Sequence, residues 1–131
     1  MPHLTIEHSA NLAGKSDLDA LCKRLRDVMR KTGVFPYGGI RVRCISCAHV
    51  AVADDHPDNA FAAMLIRMGA GRSDEIKQEA GAAIMAAAEA HFAPLLADGY
   101  FMLSLDIVEN NPALSWKTNT VHARLKQESA A

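Results

Sequence analysis

The sequence lacks any excess of positive charge: its 131 residues include 14 lysines and arginines against 15 aspartates and glutamates, a formal net charge of −1. Proteins that bind nucleic acid usually carry a basic surplus, so this composition argues against that class of partner. No apolar run approaches the roughly 20 residues needed to cross a bilayer, which argues against a membrane protein. A secretory signal, with its basic region and hydrophobic core, is also missing from the first residues.

Cysteine is scarce, with three residues, Cys22, Cys44 and Cys47. An odd and sparse set is typical of reduced thiols, so we expect a cytoplasmic protein without a disulfide framework. Cys44 and Cys47 have the spacing of a redox or zinc pair, but in a strand this spacing places them on opposite faces. No second ligand pair stands at a suitable spacing, and we interpret them as buried structural thiols.

Motifs of metal and nucleophile chemistry are missing as well. The six histidines form no His-x-x-x-His or Glu-x-x-His pair, and no Gly-x-Ser-x-Gly elbow occurs. Gly69-Ala70-Gly71-Arg72-Ser73 resembles the beginning of a phosphate-binding turn, but it lacks the third glycine of a dinucleotide fingerprint and the Gly-Lys-Ser/Thr of a P-loop. The segment could bind an anion at a helix N-terminus or be a plain turn with a surface arginine, and both readings stay open.

The chain does contain a repeated order of strand, helix and strand. Alternating apolar residues predict four strands, and apolar residues at helical spacing predict one helix after the first strand and one after the third. The predicted strands are Pro2–His8, Ile40–Val52, Phe61–Met68 and Tyr100–Glu109. The predicted helix signals are N-caps at Ser16 and Ser73, a left-handed cap at Gly33 and a kink or end at Pro94.

Crossovers of this length favour parallel neighbours and right-handed connections. We therefore predict an α+β fold in which two β-α-β units, residues 2–52 and 60–109, form a four-stranded mixed sheet with both helices on one face. Residues 110–131 are predicted to be a C-terminal extension of the same single domain, 1–131. The extension is expected to contain an extended piece at Leu114–Trp116, a helical turn at Thr120–Leu125 and a frayed tail at Lys126–Ala131.

The sheet face turned away from the helices mixes charged and apolar side chains. Its predicted members are Arg41, Arg43, Ile45, Cys47, His49, Tyr100, Met102, Asp106 and Val108. A solvated face should be more uniformly polar. The mixture favours a sheet that packs against sister subunits and builds polar sites at the boundaries.

The first two residues, Met1 and Pro2, permit an unusual chemistry. An initiator methionine is commonly removed before proline, and its removal would leave Pro2 with a free secondary amine. An α-amino group titrates at about 7.7–8.0. Burial or nearby positive charge lowers that pKa, so Pro2 could be a neutral base near pH 7. If Met1 stays attached, the Pro2 nitrogen belongs to an amide and cannot act as a base.

Five segments occur in an order that is typical of one family. They are Met1–Glu7, Gly33–Pro36, Gly39–Arg43, Gly69–Ser73 and Asn119–Ala123. On these residues the chain resembles the 5-carboxymethyl-2-hydroxymuconate isomerases, a family of the tautomerase superfamily, from Pro2 to about Lys126. The Cys44–His49 stretch and the Ala53–Asn59 loop depart from the family pattern, which leaves the substrate preference open.

The resemblance implies a homotrimer with active sites near subunit boundaries, and neither a cofactor nor a metal. It implies that Pro2 is the catalytic base and that Arg41 and Arg72 bind a carboxylate substrate. The implied reaction is ketonisation of a dienol acid in the breakdown of homoprotocatechuate. Arginine suits this substrate because its guanidinium group binds a carboxylate with two hydrogen bonds. Phe35 and Trp116 are candidates for apolar pocket lining.

Two alternative functions stay open at the level of the sequence. A superfamily relative could use Pro2 and the arginines for hydration or dehalogenation. A trimer without catalytic activity could instead bind a small anion or a protein partner.

Overall fold

A computed structural model describes residues 1–130, and its four strands form one mixed sheet. The strands are β1 (His3–Ser9), β2 (Arg41–Cys47), β3 (Ala60–Gly69) and β4 (Phe101–Asn110). Their order across the sheet is β2-β1-β3-β4. Strands β1 and β2 are parallel, as are β3 and β4, whereas β1 and β3 in the centre are antiparallel. The predicted four-stranded mixed sheet is confirmed.

Strand β2 is five residues shorter at its end than the predicted strand Ile40–Val52, because it stops at Cys47. It is an edge strand with β1 as its neighbour, and β1 ends at Ser9, directly opposite Cys47. Beyond that point the backbone has no strand to pair with, so the chain enters a loop. His49 therefore lies in this loop and not on the sheet face where it was expected.

The helices are α1 (Leu18–Lys31), α2 (Asp74–His91), α3 (Ala93–Asp98) and α4 (Thr120–Ala130). The predicted N-cap Ser73 is confirmed, since its hydroxyl accepts the N–H of Ile76 at 3.2 Å. The predicted N-cap Ser16 is wrong by one residue: the carboxylate of Asp17 accepts the N–H of Ala20 at 2.9 Å. Either residue type can cap a helix, so the pattern alone left the choice open. Gly33 follows α1 with a φ of 70°, as a left-handed cap requires.

The break predicted at Pro94 is confirmed. Helix α2 ends at His91, and Pro94 lies in the first turn of α3, where a missing backbone N–H breaks no helical hydrogen bond. The helical turn predicted at Thr120–Leu125 is part of a longer helix, α4, which reaches Ala130. The frayed tail predicted to begin at Lys126 is therefore wrong for residues 126–130. Ala131 lies outside the described residues.

The hydrophobic core lies between the sheet and helices α1 and α2. Every second residue of β1 and β3 points into it, and each of the two helices contributes one apolar stripe. Its largest fully buried members include Leu4, Ile6, Leu21, Leu25, Met29, Met64, Ile66, Met68, Ile84 and Phe92. This shared core confirms that α1 and α2 lie on one face of the sheet. Among residues 1–130, no helix has both the length and the apolar character to span a bilayer.

The thiols of Cys22 and Cys44 meet between α1 and β2, with their Sγ atoms 3.6 Å apart. Burial, followed by the neighbouring Cys22, raises the pKa of the Cys44 thiol to about 12. Cys44 is therefore protonated at neutral pH and is a poor nucleophile. The contact with Cys22 fits a structural role for Cys44, but the prediction of buried thiols is wrong, because Cys22, Cys44 and Cys47 are only half-buried.

Helix α4 packs on a 3₁₀ turn at Tyr37–Gly39, just before β2. Asn119 joins the two elements: its side-chain amide donates to the carbonyl of Gly38 at 2.9 Å, and its oxygen accepts the N–H of His122 at 3.0 Å. The turn and the helix approach so closely that a Cβ atom at Gly38 would lie 2.5 Å from the Cα atom of His122.

We predict that Gly38→Ala displaces α4 and lowers stability by about 1–3 kcal/mol, because the added methyl group meets backbone that cannot rotate away. Gly14→Ala is the matched control, since nothing lies within 4 Å of its added Cβ. Thermal unfolding at one fixed protein concentration measures both variants. Equal melting temperatures for the two would show that α4 is not held against this turn.

Candidate active site

Pro2 is held at the entrance of β1 by the sheet itself. Its side chain is fully buried, and its carbonyl accepts the N–H of Arg41 at 3.3 Å, which continues the pairing of β1 with β2. Gly39 makes room for it, because a Cβ there would lie 3.3 Å from both Pro2 Cδ and Met1 Cγ. The first residues are thus fixed in position by backbone pairing and close packing.

The amine of Met1 lies in cationic surroundings. Burial lowers its pKa, and the ammonium group of Lys117 beside it and the charges of Arg41 and Arg72 lower it further, from 8.0 to about 6. The neutral amine is consequently the major form at pH 7. The site can therefore hold an uncharged nitrogen base at the beginning of the chain.

A cavity of about 420 Å³ opens beside this amine. Its lining residues come from the start of the chain, from β2 and β3, and from the end of β4 and the segment that follows it. They are Met1, His3, Arg41, Arg67, Asn110, Asn111, Leu114, Ser115, Trp116 and Lys117. Within the described chain, none of the residues lining this cavity is acidic, whereas three are cationic. A cavity with this charge attracts anions.

The floor of the cavity is a row of side chains across three strands. His3 of β1 lies directly opposite Arg41 of β2 and Arg67 of β3. Arg43 reaches the same histidine, with Nη1 3.1 Å from His3 Nδ1. Burial, then the charges of these three arginines, lower the pKa of His3, so its neutral form is favoured. The row is positive because of its arginines and not because of its histidine.

The structure brings together some of the predicted site residues. Arg41 lines the cavity, and its Nε donates to the carbonyl of Gly39 at 3.3 Å. Trp116 lines the rim and is 84% exposed. Arg72 lies outside the lining, although its charge still lowers the pKa of the Met1 amine.

Phe35 is placed differently from its prediction as a pocket residue. It is 5% exposed and belongs to the hydrophobic core, and it does not line the cavity beside Met1. The Gly33–Pro36 connector turns this aromatic side chain inward, where its large apolar surface is removed from water.

Arg67 and Lys117 were not singled out from the sequence. Arg67 occupies an alternate position in an otherwise apolar strand, which places it on the face opposite the core, but its place opposite His3 follows only from the strand register. Lys117 lies in a segment without regular secondary structure, so no periodicity indicates its direction. From the sequence alone, a lysine in such a segment is interpreted as a solvated surface residue.

A larger cavity, of about 520 Å³, lies between α2 and β4. Its cation, Lys77, is already bound by Glu109 at 2.6 Å and by Asp74 at 3.0 Å. The site therefore offers no free positive charge, and we prefer the smaller cavity on chemical grounds. In the part of the chain that the structure describes, no group of three or more His, Cys, Asp or Glu residues could hold a metal ion.

Comparison with known proteins gives relatives along almost the whole chain. The family model for 5-carboxymethyl-2-hydroxymuconate isomerase matches residues 2–125. The 5-carboxymethyl-2-hydroxymuconate Delta-isomerase of Escherichia coli is 37% identical over 126 residues, which cover 96% of this chain and 100% of that protein. A crystal structure of a 5-carboxymethyl-2-hydroxymuconate isomerase from Deinococcus radiodurans R1 is 40% identical, with a TM-score of 0.86, and the alignment covers 95% of this chain and 93% of that one.

The fold extends to structures of lower sequence identity. A structure described as the wild-type symmetric trimer of fused 4-OT has a TM-score of 0.61 at 19% identity, covering 88% of this chain and 93% of that one. At this identity the likeness shows the fold alone. The family model and the two isomerases carry the assignment: the chain belongs to the 5-carboxymethyl-2-hydroxymuconate isomerase family.

Proposed function

We propose that this protein ketonises 5-carboxymethyl-2-hydroxymuconate, or a close dienol acid, with the nitrogen of Pro2 as the base. The observation that carries the proposal is the site at the beginning of the chain. There, an amine whose pKa is lowered to about 6 borders a cavity with cationic and no acidic lining. Family membership supplies the class of substrate. The pathway is the breakdown of an aromatic compound, and we place the enzyme in the cytoplasm.

In the proposed catalytic form Met1 is absent and Pro2 carries the chain's free amine. Pro2 is buried, and its nitrogen is one residue away from the amine that Lys117, Arg41 and Arg72 act upon. The same burial and charges therefore lower the pKa of the Pro2 amine below that of an ordinary α-amine. A base whose pKa lies near the working pH is largely unprotonated and is still basic enough to accept the proton of the substrate.

The reaction moves one proton and two double bonds. Pro2 accepts the proton of the 2-hydroxyl group, and the oxygen electrons form the C2 carbonyl. The C2–C3 double bond shifts to C3–C4, and the electrons of the C4–C5 double bond take up a proton at C5. The protonated Pro2 returns that proton, so the enzyme ends unchanged and the product is the 2-oxo-3-ene acid.

Arg41 and Arg72 are the proposed partners of the substrate carboxylates. Two observations support this: Arg41 lines the cavity, and the charges of Arg41 and Arg72 both lower the pKa of the Met1 amine. Arg72 also precedes the N-cap of α2, where the helix dipole favours anions. Guanidinium groups near the substrate stabilise the negative charge that develops on the oxygen during proton transfer.

We also propose that the protein is a homotrimer, as in the tautomerase superfamily. The outer face of the sheet supports this, because it exposes large apolar side chains that water solvates poorly. Ile45 is 46% exposed, Met102 is 50% exposed and Val108 is 43% exposed.

We predict that Pro2→Ala lowers kcat by about 10²–10⁴-fold, because the secondary amine that acts as the base is replaced. Loss of the dienol ultraviolet absorbance measures turnover, and Pro57→Ala, in an exposed loop, is the matched control. Intact mass must show that Met1 is removed in the active protein. Full turnover by Pro2→Ala, or full turnover by protein that retains Met1, would disprove the assignment of the base.

Arg41→Ala and Arg72→Ala should each reduce kcat/KM for the carboxylated substrate by about 10–100-fold, the loss typical of a hydrogen bond to a charged group. Each should also move the acid limb of the pH profile to higher pH. The base works unprotonated, so activity falls as the pH drops through its pKa, and removing a nearby positive charge raises that pKa. If kcat/KM and the acid limb of the pH profile both stay unchanged, the arginine neither binds the substrate nor lowers the pKa of the base.

Light scattering should give a mass near three chains for the native protein. Met102→Asp is expected to shift the mass toward one chain, because it buries a charge in the proposed interface. Leu96→Asp is the control, since this residue is 38% exposed on α3, away from the sheet face. A monomeric native protein would contradict the trimer.

A further inference from the structure

The cavity contains more positive charge than two carboxylate partners explain. Arg67 and Lys117 line it, but neither belongs to the pair of arginines already proposed to bind the substrate. We infer that Arg67 and Lys117 form a third carboxylate subsite, so that the enzyme selects tricarboxylic over dicarboxylic dienols. The inference rests on the proposed function and adds the residues that determine its specificity.

Both side chains lack a carboxylate partner within the described chain. Neither Arg67 nor Lys117 takes part in a salt bridge among residues 1–130, and Lys117 lies beside the Met1 amine. By contrast, the comparably placed Lys77 in the cavity at α2 has two carboxylate partners. Cations that have no internal carboxylate partner and that line one cavity are available to an anionic ligand.

The strand register brings Arg67 close to other positive charges. It lies opposite His3 on one side and opposite Val108 on the other, so neither neighbouring strand offers it a carboxylate at this level. Arg41 stands on the far side of His3. The two guanidinium groups flank a histidine whose neutral form is favoured, and their like charges repel each other across it. A bound carboxylate would relieve this repulsion, which makes the row better suited to a ligand than to structural support.

The cavity also has the size and the neutral donors that such a ligand needs. Its volume of about 420 Å³ lies within the range of small-molecule sites. The hydroxyl group of Ser115 and the amide of Asn110 line it beside the two cations and can donate hydrogen bonds to carboxylate oxygens. A dicarboxylic substrate would leave this subsite empty and lose its contribution to binding.

The test compares kcat/KM for 5-carboxymethyl-2-hydroxymuconate, which has three carboxylates, with that for 2-hydroxymuconate, which has two. In Arg67→Met the ratio of the first value to the second should fall by about 10–100-fold, as expected for one lost charged contact. Arg24→Met is the matched control, because Arg24 is exposed on α1 and does not line the cavity. Its ratio should stay that of the native enzyme.

Lys117→Met supplies a second variant in an irregular segment, where a strand cannot be disrupted. Because Lys117 also lowers the pKa of the amine, all assays are made at pH 9, above the acid limb. A fall in the ratio in both variants supports the subsite. Equal loss on both acids, or an unchanged ratio in both variants, overturns the subsite and leaves the proposed function standing. Failure of the native enzyme on both acids overturns the proposed function and the subsite with it.

Discussion

A single backbone hydrogen bond, from the N–H of Arg41 to the carbonyl of Pro2, continues the parallel pairing of β1 and β2 beyond the first residue of the strand. It fixes the beginning of the chain, which is otherwise the part of a protein most prone to disorder. Gly39 completes this arrangement by allowing close approach. The candidate site depends on this constraint, because a base must stay within reach of the proton that it accepts.

The same positive charges serve two purposes at this site. Lys117, Arg41 and Arg72 lower the pKa of the amine, and cations of this kind also attract carboxylates. Both effects have the same cause, since a positive potential disfavours an ammonium and favours an anion. Once an acid binds, its own charge offsets part of this effect on the pKa. The empty and the occupied site therefore differ in basicity.

Much of the fold followed from the sequence because its signals are periodic. Alternation and helical spacing located the four strands and the two main helices, and Ser73 was recognised as a cap. Predictions failed where local rules allow more than one answer. Asp17 replaced Ser16 as a cap, and β2 ended where β1 stopped offering hydrogen bonds. These outcomes depend on neighbours that are distant in sequence.

The site was harder to predict, since it draws on separate parts of the chain. Arg41 and Trp116 were found through the resemblance, whereas Arg67 and Lys117 required the register and the cavity. Trp116 has one more consequence. It is the chain's single tryptophan, and it lies largely in water on the cavity rim. Indole emission is therefore a built-in optical reporter, whose colour and intensity register any molecule or neighbouring subunit that covers the entrance.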